Sequence, residues 1–210
     1  MTKAEYLANP CAASSLPYWK SVCITIPNEI QIIHTTDTQP AQHAEKTAVR
    51  YFRLIHRLDS IEKPALPDGF DVIPLTTEQA AFHIRQCYTD IGISEEELAE
   101  YRTRSVFDET LWIALQERSS GRLVASAIAE LDSELSEGIL EWIQVSPNAR
   151  KKGFGSFIVR ELLWRMQKKA DFVTVSGKLD DPCCPEQLYR HCGFSGNDIW
   201  IISRRETYGN

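Results

Sequence analysis

Residues 149–156 read ARKKGFGS, three consecutive cations in front of two glycines, and an apolar repeat at helical spacing follows. A helix starting there leaves four N–H groups without an intrahelical partner, and its macrodipole adds positive potential at the same end. Gly153 and Gly155 have no side chain to obstruct an anion. The backbone from Lys152 through Phe154 to Ser156 is therefore a candidate phosphate cradle, with Arg150, Lys151 and Lys152 adding charge around it. Two common nucleotide patterns do not fit. A dinucleotide fingerprint needs a third glycine where Ile158 stands, and the strands before this turn read as antiparallel. A P-loop needs G-x-x-x-x-G-K-[ST], which the sequence lacks.

The stretch does carry R-x-x-G-x-G, as Arg150, Lys151, Lys152, Gly153, Phe154 and Gly155, behind V-x-P at Val145, Ser146 and Pro147. Downstream, LYRHCGF at 188–194 follows the pattern L-Y-x-x-x-G-F. Together with the order of strands and helices from Phe70 onward, these stretches resemble the GNAT superfamily of acetyl-CoA-dependent N-acyltransferases. The resemblance implies an α/β fold of the α+β type, a central mixed, mostly antiparallel sheet flanked by helices. It also implies acetyl-CoA as cosubstrate, its pantetheine arm lying where two strands part. Carried over by position, the backbone of Ile143, Gln144 and Val145 meets that arm and the acyl carbonyl, with the Ile143 N–H as an oxyanion donor. Residues 150–156 then hold the pyrophosphate. Tyr189 falls where family members keep a tyrosine that protonates the departing thiolate; a competing role is a ring packed under the coenzyme whose hydroxyl only donates a hydrogen bond. One departure stands out. Where many members carry an asparagine after the fifth family strand, this chain has Ser176 and Gly177.

An amine that attacks a thioester must be neutral, and one with a pKa of ~10.4 is neutral at pH 7 only to about one part in 10³, a cost of roughly 4 to 5 kcal/mol. Glu141 lies on the strand ILEWIQV, and alternation puts it on one face with Ile143 and Val145, so it is a candidate base acting directly or through water. An exposed strand carboxylate without such a role is an equal reading. Glu130 and Asp132 are weaker candidates.

These residues need a scaffold to position them. The pattern predicts a short helix near 3–7, a turn-rich segment at 16–20 and strands at 22–26 and 30–34. VRYFRLIH, 49–56, fits either a strand or a helix face. PALPDG at 64–69 marks a boundary, which divides the chain into an N-terminal extension, 1–65, and an acetyltransferase domain, 66–210. The extension either adds strands to the sheet edge or closes a lid through Tyr18 and Trp19. After the boundary come a strand FDVIPL and two helices opened by capping boxes, Thr76 with Gln79 and Ser94 with Glu97. A hairpin LWIALQ and LVASAIAEL follows, then ILEWIQV and a helix over 152–169 whose Phe154, Ile158, Leu162 and Met166 form one apolar face. A strand at 172–176, a helix from Pro185 to about Cys192 and a last strand at 199–203 complete the series.

The 210 residues carry 23 basic and 29 acidic side chains, a net charge of −6, which reads against sequence-independent nucleic-acid binding and mildly favours a cationic substrate. The amine is expected on a small molecule or a peptide, and a homodimer is plausible. No run approaches a membrane span and MTKAEYLANP does not read as a secretory leader, so a cytoplasmic location is expected. The six cysteines read as reduced thiols, and no spacing completes a metal site. A different class stays open, a non-catalytic acyl-CoA-binding module of the same fold. The motif does not select the acceptor, and it admits longer acyl chains or transfer to oxygen.

Overall fold

The computed structural model describes residues 1–37, 48–88 and 92–204. In chain order the elements are α1 (Lys3–Ala8), α2 (Pro10–Ala13), α3 (Tyr18–Cys23), β1 (Ile30–His34), β2 (Val49–His56), β3 (Phe70–Pro74), α4 (Thr77–Cys87), α5 (Glu95–Tyr101), β4 (Phe107–Glu117), β5 (Leu123–Asp132), β6 (Glu137–Val145), α6 (Phe154–Met166), β7 (Phe172–Lys178), α7 (Pro185–His191) and β8 (Ser195–Arg204). The fold is mixed α/β with mostly antiparallel strands, as the family resemblance implies. The chain divides into two compact units, 1–56 with 174–210, and 57–173.

In the unit 57–173 the strands run β6-β5-β4-β3, each antiparallel to its neighbour. β5 sits inside this set and is buried almost end to end, which explains its run of small and apolar residues, LVASAIAEL. Trp112, Ala114 and Ile128 on one face form a core with Leu75, Ala80, Ala81, Ile84 and Leu98, the apolar sides of α4 and α5. α6 packs on β4, β5 and β6. Its Phe154, Ile158, Leu162 and Met166 are all buried, the face expected from their spacing. Burying each such side chain contributes roughly 1.5–3 kcal/mol. The helix is shorter than the apolar pattern suggests. Lys151 at φ 60 and Gly153 at φ 86 are left-handed, so α6 cannot begin before Phe154.

In the other unit β8 pairs antiparallel with β1 on one side and β2 on the other, and β7 follows β2 in the order. VRYFRLIH thus resolves as a strand, with an irregularity between Arg53 and Ile55. The expected strand at 22–26 does not form. Pro17 starts a helix instead, with the Ser21 N–H on the Pro17 carbonyl and the Ile24 N–H on the Lys20 carbonyl, which also turns the expected loop at Tyr18–Lys20 into its first turn. Val22, Ile24 and Ile26 are exposed, so no core contact holds a strand there. Among the described residues no helix is long and apolar enough to cross a membrane, and no group of three or more His, Cys, Asp or Glu could hold a metal ion.

Candidate functional site

The glycine turn lies between β6 and α6. Ser146 ends the strand by donating its N–H to the Val124 carbonyl of β5 at 2.9 Å. Amide groups alternate edges along a strand, so Gln144 points the same way, and the N–H and C=O of Ile143 and Val145 lie on the edge of β6 away from β5. Side chains meet two of those carbonyls: the Tyr88 hydroxyl donates to Ile143 O at 3.2 Å, and Arg150 Nε donates to Val145 O at 3.3 Å.

A short 3-10 turn, Pro147–Ala149, then leads through Arg150 to Gly153. Gly153 is the N-cap of α6, and no side chain caps the helix. A Cβ built on Gly153 would meet nothing within 4 Å, so the space before the helix is open; what demands glycine there is its φ of 86. The helical ladder begins only at Phe157, whose N–H donates to Gly153 O at 2.9 Å. Lys151 and Lys152 are exposed. Arg150 is less available than its type suggests, because Nη2 also donates to the Cys87 carbonyl at 3.1 Å and ties the turn to the end of α4. The cradle therefore has a backbone core with two exposed lysines beside it. An open helix start of 13 residues, glycine at its cap and lysines beside it fits the pyrophosphate of a coenzyme A.

A groove of about 950 Å³ adjoins the turn, between α4 and the β4–β5 hairpin. Phe82, His83, Arg122, Ser146, Lys152 and Phe154 are among its lining residues. On its rim the Glu117 carboxyl is held below the ordinary carboxylate range, first by the Ser120 hydroxyl, then by Arg122, with a smaller contribution from Lys152. His83 is 1% exposed and bonded on both ring nitrogens, Nδ1 to Ser126 Oγ at 2.7 Å and Nε2 to Ser146 Oγ at 2.8 Å. Burial lowers its pKa to about 4, and burial raises that of neighbouring Cys87 to about 11 despite the opposing charge of Arg150.

The carboxylates fare differently from their reading in the sequence. Glu141 is half-buried, and β6 carries a one-residue bulge there: Trp142 faces Ile128 and Leu140 faces Ala129, with Glu141 inserted between. The alternation that put Glu141 on one face with Ile143 and Val145 is interrupted at that residue. Glu130, 2% exposed, pairs with Arg104 at 2.6 Å, and Asp132 accepts the N–H groups of Glu134 and Leu135, so both are engaged in holding the fold.

In the other unit Tyr189 is buried on α7, its ring 6.1 Å from that of Phe52 and 5.7 Å from that of Phe194. Ser176 and Gly177 lie inside β7 rather than after it. Ser176 Oγ accepts from Arg53 Nη1 at 3.2 Å, and a Cβ on Gly177 would come within 2.6 Å of the Phe52 ring, which explains glycine there. Tyr88 and His83 are the residues the sequence did not single out. The register of α4 on β6 brings them to the strand, and nothing local marks it.

Residues 107–196 match the model of a family described as an acetyltransferase (GNAT) domain. The fold is similar to that of a GCN5-related N-acetyltransferase from Sphaerobacter thermophilus, with TM-score 0.70 and 16% identity over 85% of this chain and 61% of that one. It is also similar to an acetyltransferase from the GNAT family from Colwellia psychrerythraea, with TM-score 0.57 and 16% identity over 83% and 64% of the two chains. The ribosomal-protein-S18-alanine N-acetyltransferase from Escherichia coli is a third, with TM-score 0.51 and 17% identity over 67% and 99%. This chain spans less than two thirds of the length of the first two. A search of curated proteins with the sequence returns no match. The glycine turn thus lies inside the residues that match a GNAT acetyltransferase domain, and the fold is one shared with solved GNAT acetyltransferases.

Proposed function

We propose that this chain transfers an acyl group, acetyl in the first instance, from acyl-CoA to a primary amine of a small molecule or peptide by direct attack. The observation that carries the reading is a succession within one strand, turn and helix. The Ile143 and Val145 amides face away from β5, and a few residues on a helix with no side chain at its cap opens at Gly153, directly behind three basic residues. A ligand with an extended amide arm and a pyrophosphate matches both features. When bound, acyl-CoA supplies an acyl group already activated as a thioester. The Ile143 N–H is proposed to meet the negative charge that develops on the acyl oxygen, and amides at the start of α6 to hold the pyrophosphate with Lys151 and Lys152.

Glu141 is proposed to take the amine proton, directly or through water, and Tyr189 to return a proton to the departing sulfur. The bulge supports a particular role for Glu141, because an extra residue in a strand re-aims a side chain away from the ordinary alternation. Residues 66–210 are proposed as the catalytic domain and 1–65 as an extension packing on it. The acidic balance of the chain, −6, supports a cationic acceptor.

The test is release of free thiol from acetyl-CoA across a panel of amines and peptides, repeated with Tyr189→Phe and Glu141→Ala. Amine-dependent release that falls on the order of a hundredfold in each variant is expected. Stabilisation by coenzyme A without amine-dependent release would favour a binding module, and full activity of both variants over pH 6 to 9 would overturn the proton-transfer roles.

A further inference from the structure

A buried chain of hydrogen bonds runs from β6 to the entrance of the glycine turn, and its ends fix its direction. Gln144 is 2% exposed, and its Nε2 donates to the Ser126 hydroxyl. At the far end the Ser146 hydroxyl donates to the Leu123 carbonyl at 3.0 Å, so toward His83 Nε2 the same hydroxyl accepts. His83 therefore holds its proton on Nε2, and Nδ1 accepts the Ser126 hydroxyl. The order is Gln144 to Ser126 to His83 to Ser146 to Leu123, one proton per link. Reversal would require the Ser146 hydroxyl to donate to His83, and the Leu123 bond would be lost.

We propose that His83 is a positioning residue for the coenzyme turn: through Ser146 it fixes where β6 ends and the turn begins, and through Ser126 and Gln144 it holds the strand beside Ile143. The inference rests on the reading that this turn holds acyl-CoA. α4 grips the turn twice, since Arg150 reaches the Cys87 carbonyl one helical turn beyond His83. The two ties bracket the segment from Ser146 to Arg150, so the amides of Ile143 and those at the start of α6 keep one spacing. Neither tie needs to touch the ligand. A phenylalanine at position 83 would fill the core, but it could make neither link.

The test measures coenzyme A affinity by calorimetry in the full chain and in His83→Phe, Ser146→Ala, Ser146→Thr and the double variant His83→Phe with Ser146→Ala. His83→Phe and Ser146→Ala should each weaken binding about fivefold or more, while the double variant is no weaker than His83→Phe alone. Ser146→Thr, which keeps the hydroxyl, should stay within about twofold of the parent. Ser146→Ala removes one half-buried hydroxyl, so it reads the link even where His83→Phe fails to fold. Lowered melting temperatures with unchanged affinity would show that His83 serves the core only and would overturn the proposal. So would a histidine ¹⁵N spectrum at neutral pH with the His83 proton on Nδ1. A parent chain that does not bind coenzyme A overturns this inference together with the proposed function, whereas binding that ignores both residues overturns this inference alone.

Discussion

Helices α4 and α6 belong to one unit and begin in opposite ways. Thr76 caps α4 by accepting the Gln79 N–H at 3.2 Å, and the Gln79 side chain accepts the Thr76 N–H in return. Ser94 and Glu97 close α5 likewise, and three glutamates fill its first turn. α6 has glycine at its cap, no side chain on its first amides from that cap, no acid in its first turn and basic residues in front. The first two helices meet their own needs for hydrogen bonds and negative charge. The third has neither from its cap or its first turn, and the proposed function assigns both to an incoming anion.

The largest expected effect concerns α4 as part of that fold. His83 has a folded pKa of about 4, lowered by burial, while the unfolded chain titrates near 6.5. Above pH 6.5 the imidazole is neutral in both states and its contribution to stability is complete. As pH falls toward 4 the unfolded chain takes up a proton that the folded chain refuses, so stability should drop by at most about 3 kcal/mol and level off below. Cys87, 3.6 Å from Nε2 and with a pKa of about 11, stays a thiol throughout. Urea unfolding from pH 7 to 4 reads this, and His83→Phe should flatten the slope; an unchanged slope would assign it to other groups.

At the other helix start, Gly153→Val forces a β-branched residue to φ 86 and should cost coenzyme A about tenfold or more in affinity, read by calorimetry. Unchanged affinity would erase the distinction between α4 and α6. Thr76→Ala should have the complementary outcome, about 1 kcal/mol of stability lost in urea with affinity retained. Lys152→Ala is the smallest, about a twofold loss at low salt that shrinks as salt rises, because the lysine is exposed and partly answered by Glu117. A loss that persists at high salt would mean a fixed contact instead.

Features that rest on local residue types were legible in the sequence. Both capping boxes form, and the four-residue repeat of α6 is its buried face. The glycine turn is legible for the same reason: Gly153 stands at φ 86, a backbone conformation that favours glycine. Other features depend on register between distant elements. The bulge at Glu141 exists because β5 and β6 slip by one residue, and no residue type announces it. Arg150 reads as one more cation of the cluster until α4 supplies the Cys87 carbonyl, and nothing near His83 in the sequence marks its contacts with Ser126 of β5 and with Ser146 just past β6. The expected strand at 22–26 has no burial to hold it against a proline-started helix.

The central claim is that the amides at the start of α6 bind the pyrophosphate of a coenzyme A. Amide ¹H–¹⁵N spectra recorded during titration with coenzyme A test it most directly. The account predicts that the largest shifts fall at Gly153, Phe154, Gly155 and Ser156, with smaller ones at Ile143 and Val145 and none at the starts of α4 and α5. Saturating coenzyme A that leaves the four α6 amides unmoved would contradict it.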